Sequence, residues 1–233
     1  MQIIKAKRSI IPSCDVSDLK MLSKLVSETA DVGGIGAYKI GFELCLKFGI
    51  GQVVDAIRKN SKLSVIYDHQ KAATDIPDMG SRFAEAVKGV DAVILFPVMG
   101  PETEKAWIEA CKKAKLGVIV GGDMTHKAYL ENDGGYIKEL APLKIYEVAA
   151  ELGVNDFVVP GNKPEKIMEY REFIEAKGVK EPVFYSPGLV AQGGTIEAGA
   201  KAAGERWHAI VGRAIYEAKD MKKAAEELCK GVL

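Results

Sequence analysis

The chain contains 233 residues, 48% of them hydrophobic, and its 32 lysines and arginines are balanced by 32 aspartates and glutamates. A chain of this length and apolar content can bury a large core, which excludes a mainly disordered protein. The balanced charge provides no overall cationic field. It therefore excludes general electrostatic attraction to nucleic acid or to an anionic membrane, and an anionic ligand would need a local site.

The sequence predicts neither a membrane span nor a secretion signal. Its longest strongly apolar stretch without charge, residues 92–101, is about half of the ~20 residues that a membrane-spanning helix needs. The basic amino terminus is not followed by an apolar block of signal-peptide length. The four cysteines are scattered and lack metal-ligand spacing, so we expect buried free thiols in a cytoplasmic protein without a metal site.

Short runs rich in valine and isoleucine alternate with longer segments whose apolar residues recur at helical spacing. The runs predict strands at 9–13, 36–40, 63–67, 92–96, 118–120, 156–159, 183–185 and 209–211. Helical periodicity is clearest at 18–29, 102–115, 164–177 and 214–228. Such alternation is typical of α/β proteins with a parallel sheet. Eight repeats without a Pro- or Ser-rich linker favour a single (β/α)8 barrel, the TIM barrel, over residues 1–233.

Four charged residues of alternating sign follow or end the second and third strands: Lys39, Asp68, Lys71 and Asp75. Lys39 lies in the apolar run IGAYKIGF, where a buried ammonium is costly unless carboxylates compensate its charge. Opposed charges at a barrel mouth can hold an ammonium in place as a proton donor, while a carboxylate repels a negative group of the substrate. These residues predict a site that makes and protonates a carbanion. The alternative is a solvated loop with an incidental surface salt bridge.

Two glycine-containing motifs follow the seventh and eighth strands, SPGLVAQGG at 186–194 and IVGRAIY at 210–216. Barrels of this type often bind phosphate at these two loops through backbone N–H groups. The glycines allow the backbone to approach an anion closely, and Arg213 supplies a fork of donors. The motifs predict a phosphate site, with ordinary turn glycines and a surface arginine as the alternative. The long connection at 125–142 is expected to be a lid or a binding segment.

Taken together, these motifs resemble the orotidine 5′-monophosphate decarboxylase family over the whole chain. The matching features are K-x-G at the second strand, D…K…D-I-P after the third, a hydroxyl residue followed by histidine after the fifth, P-G…Q-G-G after the seventh and V-G-R-A-I-Y after the eighth. The resemblance implies decarboxylation of orotidine 5′-monophosphate to uridine 5′-monophosphate in pyrimidine biosynthesis, with a small-molecule nucleotide as substrate. It implies no metal and no cofactor.

The resemblance also implies a role for each matching residue. Lys71 would be the proton donor, Asp68 would face the substrate carboxylate, and Lys39 would belong to the charged network. Asp75 and Ile76 would reach into the site of a neighbouring subunit, which implies a homodimer with shared active sites. The remaining contacts would be Asp15 at the ribose, Thr125 at the base, Gln192 between phosphate and pyrimidine, and Pro187, Gly188, Gly193, Gly212 and Arg213 on the phosphate side.

One spacing departs from the family pattern D-x-K-x-x-D, because this chain reads Asp68-x-x-Lys71-x-x-x-Asp75. The extra residue in each gap requires a bulge or a different turn of the backbone. Either Asp68 or His69 can then occupy the usual carboxylate position, and a role of Gln70 in the site stays open.

Two other functions stay open as alternatives. Hexulose-phosphate synthases and related Mg²⁺-dependent sugar-phosphate decarboxylases or aldolases resemble the pattern, but they usually carry glutamate in E-x-G where this chain has Lys39-x-Gly41. An ammonium at that position removes an oxygen ligand and repels a cation. The other alternative is a non-catalytic sensor that binds a phosphate ligand without turnover.

Overall fold

The computed structural model describes residues 2–69 and 72–232, and strands alternate with helices along them. The strands are β1 (Arg8–Pro12), β2 (Ala37–Gly41), β3 (Ser64–Asp68), β4 (Ala92–Leu95), β5 (Gly117–Gly121), β6 (Asp156–Val158), β7 (Val183–Ser186) and β8 (Trp207–Val211). The helices are α1 (Leu19–Thr29), α2 (Phe42–Phe48), α3 (Ile50–Arg58), α4 (Met79–Ala86), α5 (Pro101–Lys113), α6 (Ala141–Glu151), α7 (Pro164–Ala176), α8 (Ile196–Ala203), α9 (Arg213–Tyr216) and α10 (Met221–Lys230). All eight predicted strands are confirmed, each within two residues of its expected bounds.

The strands form one parallel sheet in the order β1-β8-β7-β6-β5-β4-β3-β2. Its two edge strands also meet, because Ser13 forms a parallel bridge with Lys39 and the Cys14 amide donates to the Lys39 carbonyl over 2.8 Å. The sheet is therefore a nearly closed barrel with helices around it. This confirms the predicted (β/α)8 architecture.

Apolar residues on the two faces of each strand build two separate cores. One core fills the barrel interior and includes Ile11, Ile66, Ile94, Ile119, Val158, Tyr185 and Ile210. The neighbouring positions, such as Ile10 and Val65, belong to a larger core that includes helix residues such as Leu22 and Ile57. Because both faces are covered, the strands are continuous apolar runs, and each fully buried aliphatic side chain contributes roughly 1.5–3 kcal/mol.

The predicted helix at 214–228 is wrong, because two helices occupy this region. The four-residue α9 ends at Tyr216, and α10 begins at Met221. Between them the side chain of Asp220 accepts a hydrogen bond from the Lys223 amide over 2.9 Å, which satisfies a free N–H of the new helix. Apolar residues continue at helical spacing across this break, so periodicity alone could not detect it.

The long connection after β5 has a compact internal structure. It contains a 3-10 turn at Glu131–Asp133 and a bridge between Leu130 and Ile137. Glu139 pairs with Lys166 of α7 at 3.3 Å. The connection ends where α6 begins at Ala141. Its role as a lid stays a prediction. Within residues 2–69 and 72–232, none of the helices has the length and apolar character required to span a membrane.

Candidate active site

A cavity of about 330 Å³ opens at the carboxyl ends of the strands. Nine residues predicted for the site line it: Asp15, Lys39, Asp68, Thr125, Pro187, Gly188, Gln192, Gly212 and Arg213. Asp75, Ile76 and Gly193 are not among the lining residues, and Lys71 lies outside the described residues. The structure therefore brings the charged ends of β2 and β3 and both glycine motifs to one cavity.

Lys39 is held between two carboxylates. It is only 5% exposed, and its Nζ lies 3.1 Å from Asp68 Oδ2 and 3.6 Å from Asp15 Oδ1. Burial by itself lowers the pKa of Lys39, but the negative charges of Asp68 and Asp15 outweigh burial, and the net pKa is raised. Lys39 is therefore an ammonium at neutral pH, with a fixed position in the cavity wall.

Strand register explains why these three side chains meet. In the β2–β3 ladder Lys39 pairs with Ile66 and Gly41 pairs with Asp68, so the Asp68 carboxylate stands just beyond the Lys39 backbone. Asp15 follows β1, the strand on the other side of β2, and its Oδ2 accepts a hydrogen bond from Ser13 Oγ over 2.7 Å. Ser13 was not predicted from the sequence, although a hydroxyl residue at the carboxyl end of a strand was a usable signal.

The loop after β7 folds tightly beside the cavity. The Val190 amide donates to the Gly194 carbonyl over 2.7 Å, and the Gly194 amide donates to the Gly188 carbonyl over 3.3 Å. Gly188 has a φ of +87°, and a Cβ there would lie 2.6 Å from Thr125 Cγ2 and 3.1 Å from Gln192 Oε1. Glycine is thus required at position 188 by its backbone conformation and by the close approach of the β5 and β7 loops.

The loop after β8 completes the rim. Gly212 precedes α9, and a Cβ there would contact Tyr216 Cε1 at 3.2 Å. The side chain of Arg213 is exposed and belongs to the cavity lining together with Gln192. The rim thus presents a guanidinium and an amide to the same cavity as Lys39, which suits binding of an anionic group of a ligand.

The apolar floor of the cavity escaped the sequence analysis. It consists of Ile94, Phe96, Met124, Val158 and Ile210. They lie at or just beyond the carboxyl ends of strands, and only the inward direction of their side chains distinguishes them from other core residues. An apolar floor below polar walls is suited to a flat ring with polar edges.

Asp123 also lines the cavity and was given no role from the sequence. It is 2% exposed, its Oδ2 accepts from Tyr170 Oη over 2.9 Å, and its Oδ1 lies 3.2 Å from Lys163 Nζ. The acidic residue that directly follows the buried run GVIVGG was the available signal.

Asp75 and Ile76 lie along a different cleft, which they share with Met99 and Thr103. Asp75 accepts from the Ile76 amide over 2.7 Å through Oδ1, and its backbone carbonyl accepts from Thr103 Oγ1 over 3.0 Å. Ile76 is 59% exposed and Met99 is 62% exposed. Within one chain these residues do not join Lys39 and Asp68, so their proposed reach into a neighbouring site stays a prediction.

The histidines lie apart from one another. His126 is exposed and its ring packs edge-on against Tyr129, while His208 is buried and its Nδ1 lies 2.8 Å from Ser9 Oγ. Over the described ranges, no three His, Cys, Asp or Glu side chains gather closely enough to hold a metal ion. The four cysteines are free thiols, and all except the half-buried Cys45 are buried.

Comparison with known proteins agrees with this geometry. Residues 8–228 match the model of the orotidine 5′-phosphate decarboxylase / HUMPS family. The chain is 32% identical to the orotidine 5′-phosphate decarboxylase of Methanocaldococcus jannaschii over 216 residues, covering 91% of this chain and 93% of that protein. A crystal structure of the Methanocaldococcus jannaschii enzyme complexed with the inhibitor BMP superposes with a TM-score of 0.84 at 29% identity, covering 97% of this chain and 98% of that one. The corresponding enzyme of Pyrococcus horikoshii gives 0.78 at 26% identity, with 95% and 98% covered. The chain therefore belongs to the orotidine 5′-phosphate decarboxylase / HUMPS family.

Proposed function

We propose that this protein decarboxylates orotidine 5′-monophosphate to uridine 5′-monophosphate without a metal or a cofactor. The observation that carries the proposal is the buried Lys39 ammonium, 3.1 Å from Asp68 and 3.6 Å from Asp15, in the cavity that also contains Gln192 and Arg213. The substrate needs these two features at opposite ends, a charged site for the reacting carboxylate and an anion site for the phosphate. Family membership supports the same reaction.

In the proposed mechanism the C6–carboxylate bond breaks, carbon dioxide leaves and the bonding electron pair stays on C6. Asp68 faces the substrate carboxylate and disfavours its negative charge in the ground state, while the neighbouring ammonium groups stabilise the charge that develops on C6. Lys71 then donates a proton to C6. Lys39 fixes the Asp68 carboxylate in place, and Asp15 holds the ribose.

Binding of the phosphate would supply binding free energy at a site far from the reacting carbon. Gln192, Gly212 and Arg213 are proposed to hold the phosphate, with Pro187, Gly188 and Gly193 shaping that loop. Thr125 is proposed to contact the base. Phosphate binding can then drive closure of the loops over the cavity, so that interactions far from C6 assist the chemical step.

The Mg²⁺-dependent branch of the family is the competing function, because the matching family model also covers it. A divalent cation between Asp15 and Asp68 would occupy the place of the Lys39 ammonium and be repelled by it. This position therefore favours the metal-free reaction. With the ammonium in this place, the Asp15 and Asp68 carboxylates are suited to contact a substrate rather than to bind a metal ion.

We further propose that the whole chain acts as a single barrel domain in a cytoplasmic homodimer. The exposed Ile76 and Met99 flank a cleft beside Asp75, which suits contact with a second copy and delivery of Asp75 and Ile76 to its cavity. Mixing inactive Lys71→Ala and Asp75→Asn proteins tests this arrangement. Shared sites predict partial recovery of activity on mixing, and a mixture as inactive as its parts would contradict them.

The direct test of the function follows the loss of the orotidine chromophore with purified protein in excess chelator. We expect full turnover with the chelator present, and no turnover by Lys71→Ala, which should still bind uridine 5′-monophosphate. Activity abolished by the chelator would support the Mg²⁺-dependent branch. Nucleotide binding without turnover by the wild-type protein would support the sensor, and near wild-type turnover by Lys71→Ala would remove Lys71 as proton donor.

A further inference from the structure

Three tyrosine hydroxyls converge on the two residues that follow β5. Tyr146 Oη accepts a hydrogen bond from the Gly122 amide over 3.2 Å, and Tyr129 Oη donates to the Gly122 carbonyl over 3.1 Å. Tyr170 Oη donates to Asp123 Oδ2 over 2.9 Å. Both the backbone and the side chain of this short segment are therefore fixed by groups from α6, α7 and the long connection.

The Asp123 carboxylate is the charged centre of this cluster. Its side chain is fully buried, and Lys163 Nζ lies 3.2 Å from Oδ1, which also accepts from the Met124 amide over 2.6 Å. Burial together with the negative charge of Asp123 raises the pKa of Tyr170, so the tyrosine stays a hydrogen-bond donor. A carboxylate removed from water in this way is costly to maintain, and its partners compensate it fully on both oxygens.

The cluster leads directly into the cavity. Asp123, Met124 and Thr125 all line it, and the Thr125 carbonyl accepts from Asn162 Nδ2 over 3.0 Å. Thr125 in turn packs against Gly188, where a Cβ would lie 2.6 Å from Thr125 Cγ2. A shift of Asp123 would therefore move Thr125 relative to the loop after β7.

We propose that Asp123 is a positioning residue, anchored by Tyr170 and Lys163, that sets the place of Thr125 against the pyrimidine ring. This inference rests on the proposed decarboxylase function. It assigns Asp123 no contact with the reacting atoms and no proton transfer. Arg213 lies on the separate loop after β8, so Asp123 can affect the anion site only through the contact between Thr125 and Gly188.

The experiment compares ligands that do and do not need the base site. Tyr170→Phe removes one hydroxyl and keeps the ring, while Asp123→Asn keeps the shape and removes the charge. The readouts are kcat and KM for orotidine 5′-monophosphate and competitive inhibition by uridine 5′-monophosphate and by ribose 5-phosphate. Tyr185→Phe is the matched control. Tyr185 Oη also donates a hydrogen bond to a carboxylate, Asp156 Oδ1, with a length of 2.8 Å. Neither of these residues lines the cavity.

We expect kcat/KM and the affinity for uridine 5′-monophosphate to fall about 10-fold in Tyr170→Phe and about 100-fold in Asp123→Asn, as for a misplacement near 1 Å. Inhibition by ribose 5-phosphate should weaken much less in both variants, because Arg213 lies on the loop after β8 and not on the β7 loop that Thr125 contacts. Tyr185→Phe should lower thermal stability. The ratio of the affinities for uridine 5′-monophosphate and ribose 5-phosphate should keep its wild-type value. If Asp123→Asn does not fold, Tyr170→Phe alone decides.

Equal losses for both inhibitors would overturn the positioning role, because a general loosening of the barrel does not distinguish base from phosphate. A wild-type ratio of affinities in Tyr170→Phe would overturn it as well. A wild-type protein that neither turns over orotidine 5′-monophosphate nor binds uridine 5′-monophosphate would refute the proposed function and, with it, this inference. An active wild type with equal losses in the variants refutes the inference alone.

Discussion

Replacing Lys39 with methionine removes one positive charge from the candidate active site at nearly constant volume. In the folded protein Lys39 is 5% exposed and pairs with Asp68 and Asp15 at 3.1 and 3.6 Å. Lys39→Met leaves these two carboxylates facing a thioether. The variant therefore tests both the electrostatic balance of the barrel mouth and the role of the ammonium in the reaction.

The structure sets the size of the expected effect. At 3.1 Å and an effective dielectric constant of about 20, the attraction between Lys39 and Asp68 is about 5 kcal/mol. Asp15 is 42% exposed, so water screens its share. Desolvation of the ammonium offsets part of the attraction, and we expect a net loss of unfolding free energy of about 3 kcal/mol. For a chain of this size that lowers Tm by about 6–12 °C.

Activity should fall with stability but can be measured separately. A similar loss of stabilisation for the charge developing on C6 corresponds to a decrease in kcat/KM of about 100-fold. The raised pKa of Lys39 means that its contribution to stability is complete below the unfolded pKa and is lost only as pH rises through the folded pKa. The difference in unfolding free energy between wild type and variant should therefore be constant between about pH 6 and pH 9.

Thermal unfolding and steady-state decarboxylation measure the two effects at a temperature where both proteins are folded. Lys88→Met is the matched control, since Lys88 forms an exposed ion pair with Glu85, and exposed pairs contribute little. Its Tm and kcat/KM should equal those of the wild type. A Lys39→Met protein with wild-type Tm and wild-type kcat/KM would refute the reasoning that a buried, doubly paired ammonium organises this site.

Other substitutions test the anion site, the glycine loop and the barrel interior. Arg213→Ala removes the exposed guanidinium from the cavity rim, and we expect kcat/KM for orotidine 5′-monophosphate to fall about 50-fold, because hydrogen bonds to charged groups contribute about 1.5–3 kcal/mol. Turnover of phosphate-free orotidine should be unaffected, and equal losses on both substrates would exclude a phosphate contact. Gly188→Ala places a Cβ 2.6 Å from Thr125 Cγ2 at a φ of +87°, so stability should fall by at least about 1–2 kcal/mol in thermal unfolding; an unchanged Tm would contradict this. Burial lowers the pKa of His208 to about 3, whereas the unfolded chain binds that proton near the usual value of about 6.5, so stability should fall by about 2 kcal/mol between about pH 7 and pH 5 relative to His208→Gln. Burial raises the pKa of Asp156 to about 6, which makes stability rise as pH falls, but this effect is common to both proteins and cancels in the comparison. Identical pH profiles of urea unfolding for the two proteins would disprove the lowered pKa of His208.

The strands and the barrel were predictable from the sequence because local chemistry specifies them. A strand buried on both faces must be a short apolar run, as in GVIVG of β5. All strands of a parallel barrel also end at the same mouth, so polar residues directly after them were expected to meet there. For Asp15, Lys39, Asp68 and Arg213 that expectation agrees with the observed cavity.

Features that depend on a single side-chain hydrogen bond were harder to predict. The break between α9 and α10 rests on Asp220 as a cap, while the apolar periodicity continues across it. The partners of Lys39 were also uncertain, because Asp68 and Asp75 both fall within the eight residues 68–75. In the structure Asp68 pairs with Lys39, whereas Asp75 lies along the cleft with Thr103.

The sequence by itself thus determined the architecture, the mouth of the barrel and the residue types gathered there. Only the tertiary structure decided which side chains touch, as Asp123 illustrates. Its partners Lys163 and Tyr170 lie 40 and 47 positions further along the chain, and β6 must pair with β5 before α7 can bring them to its carboxylate. Burial patterns are local and can be read along one segment, whereas ion pairs and hydrogen bonds depend on distances between segments that are set only when the barrel closes.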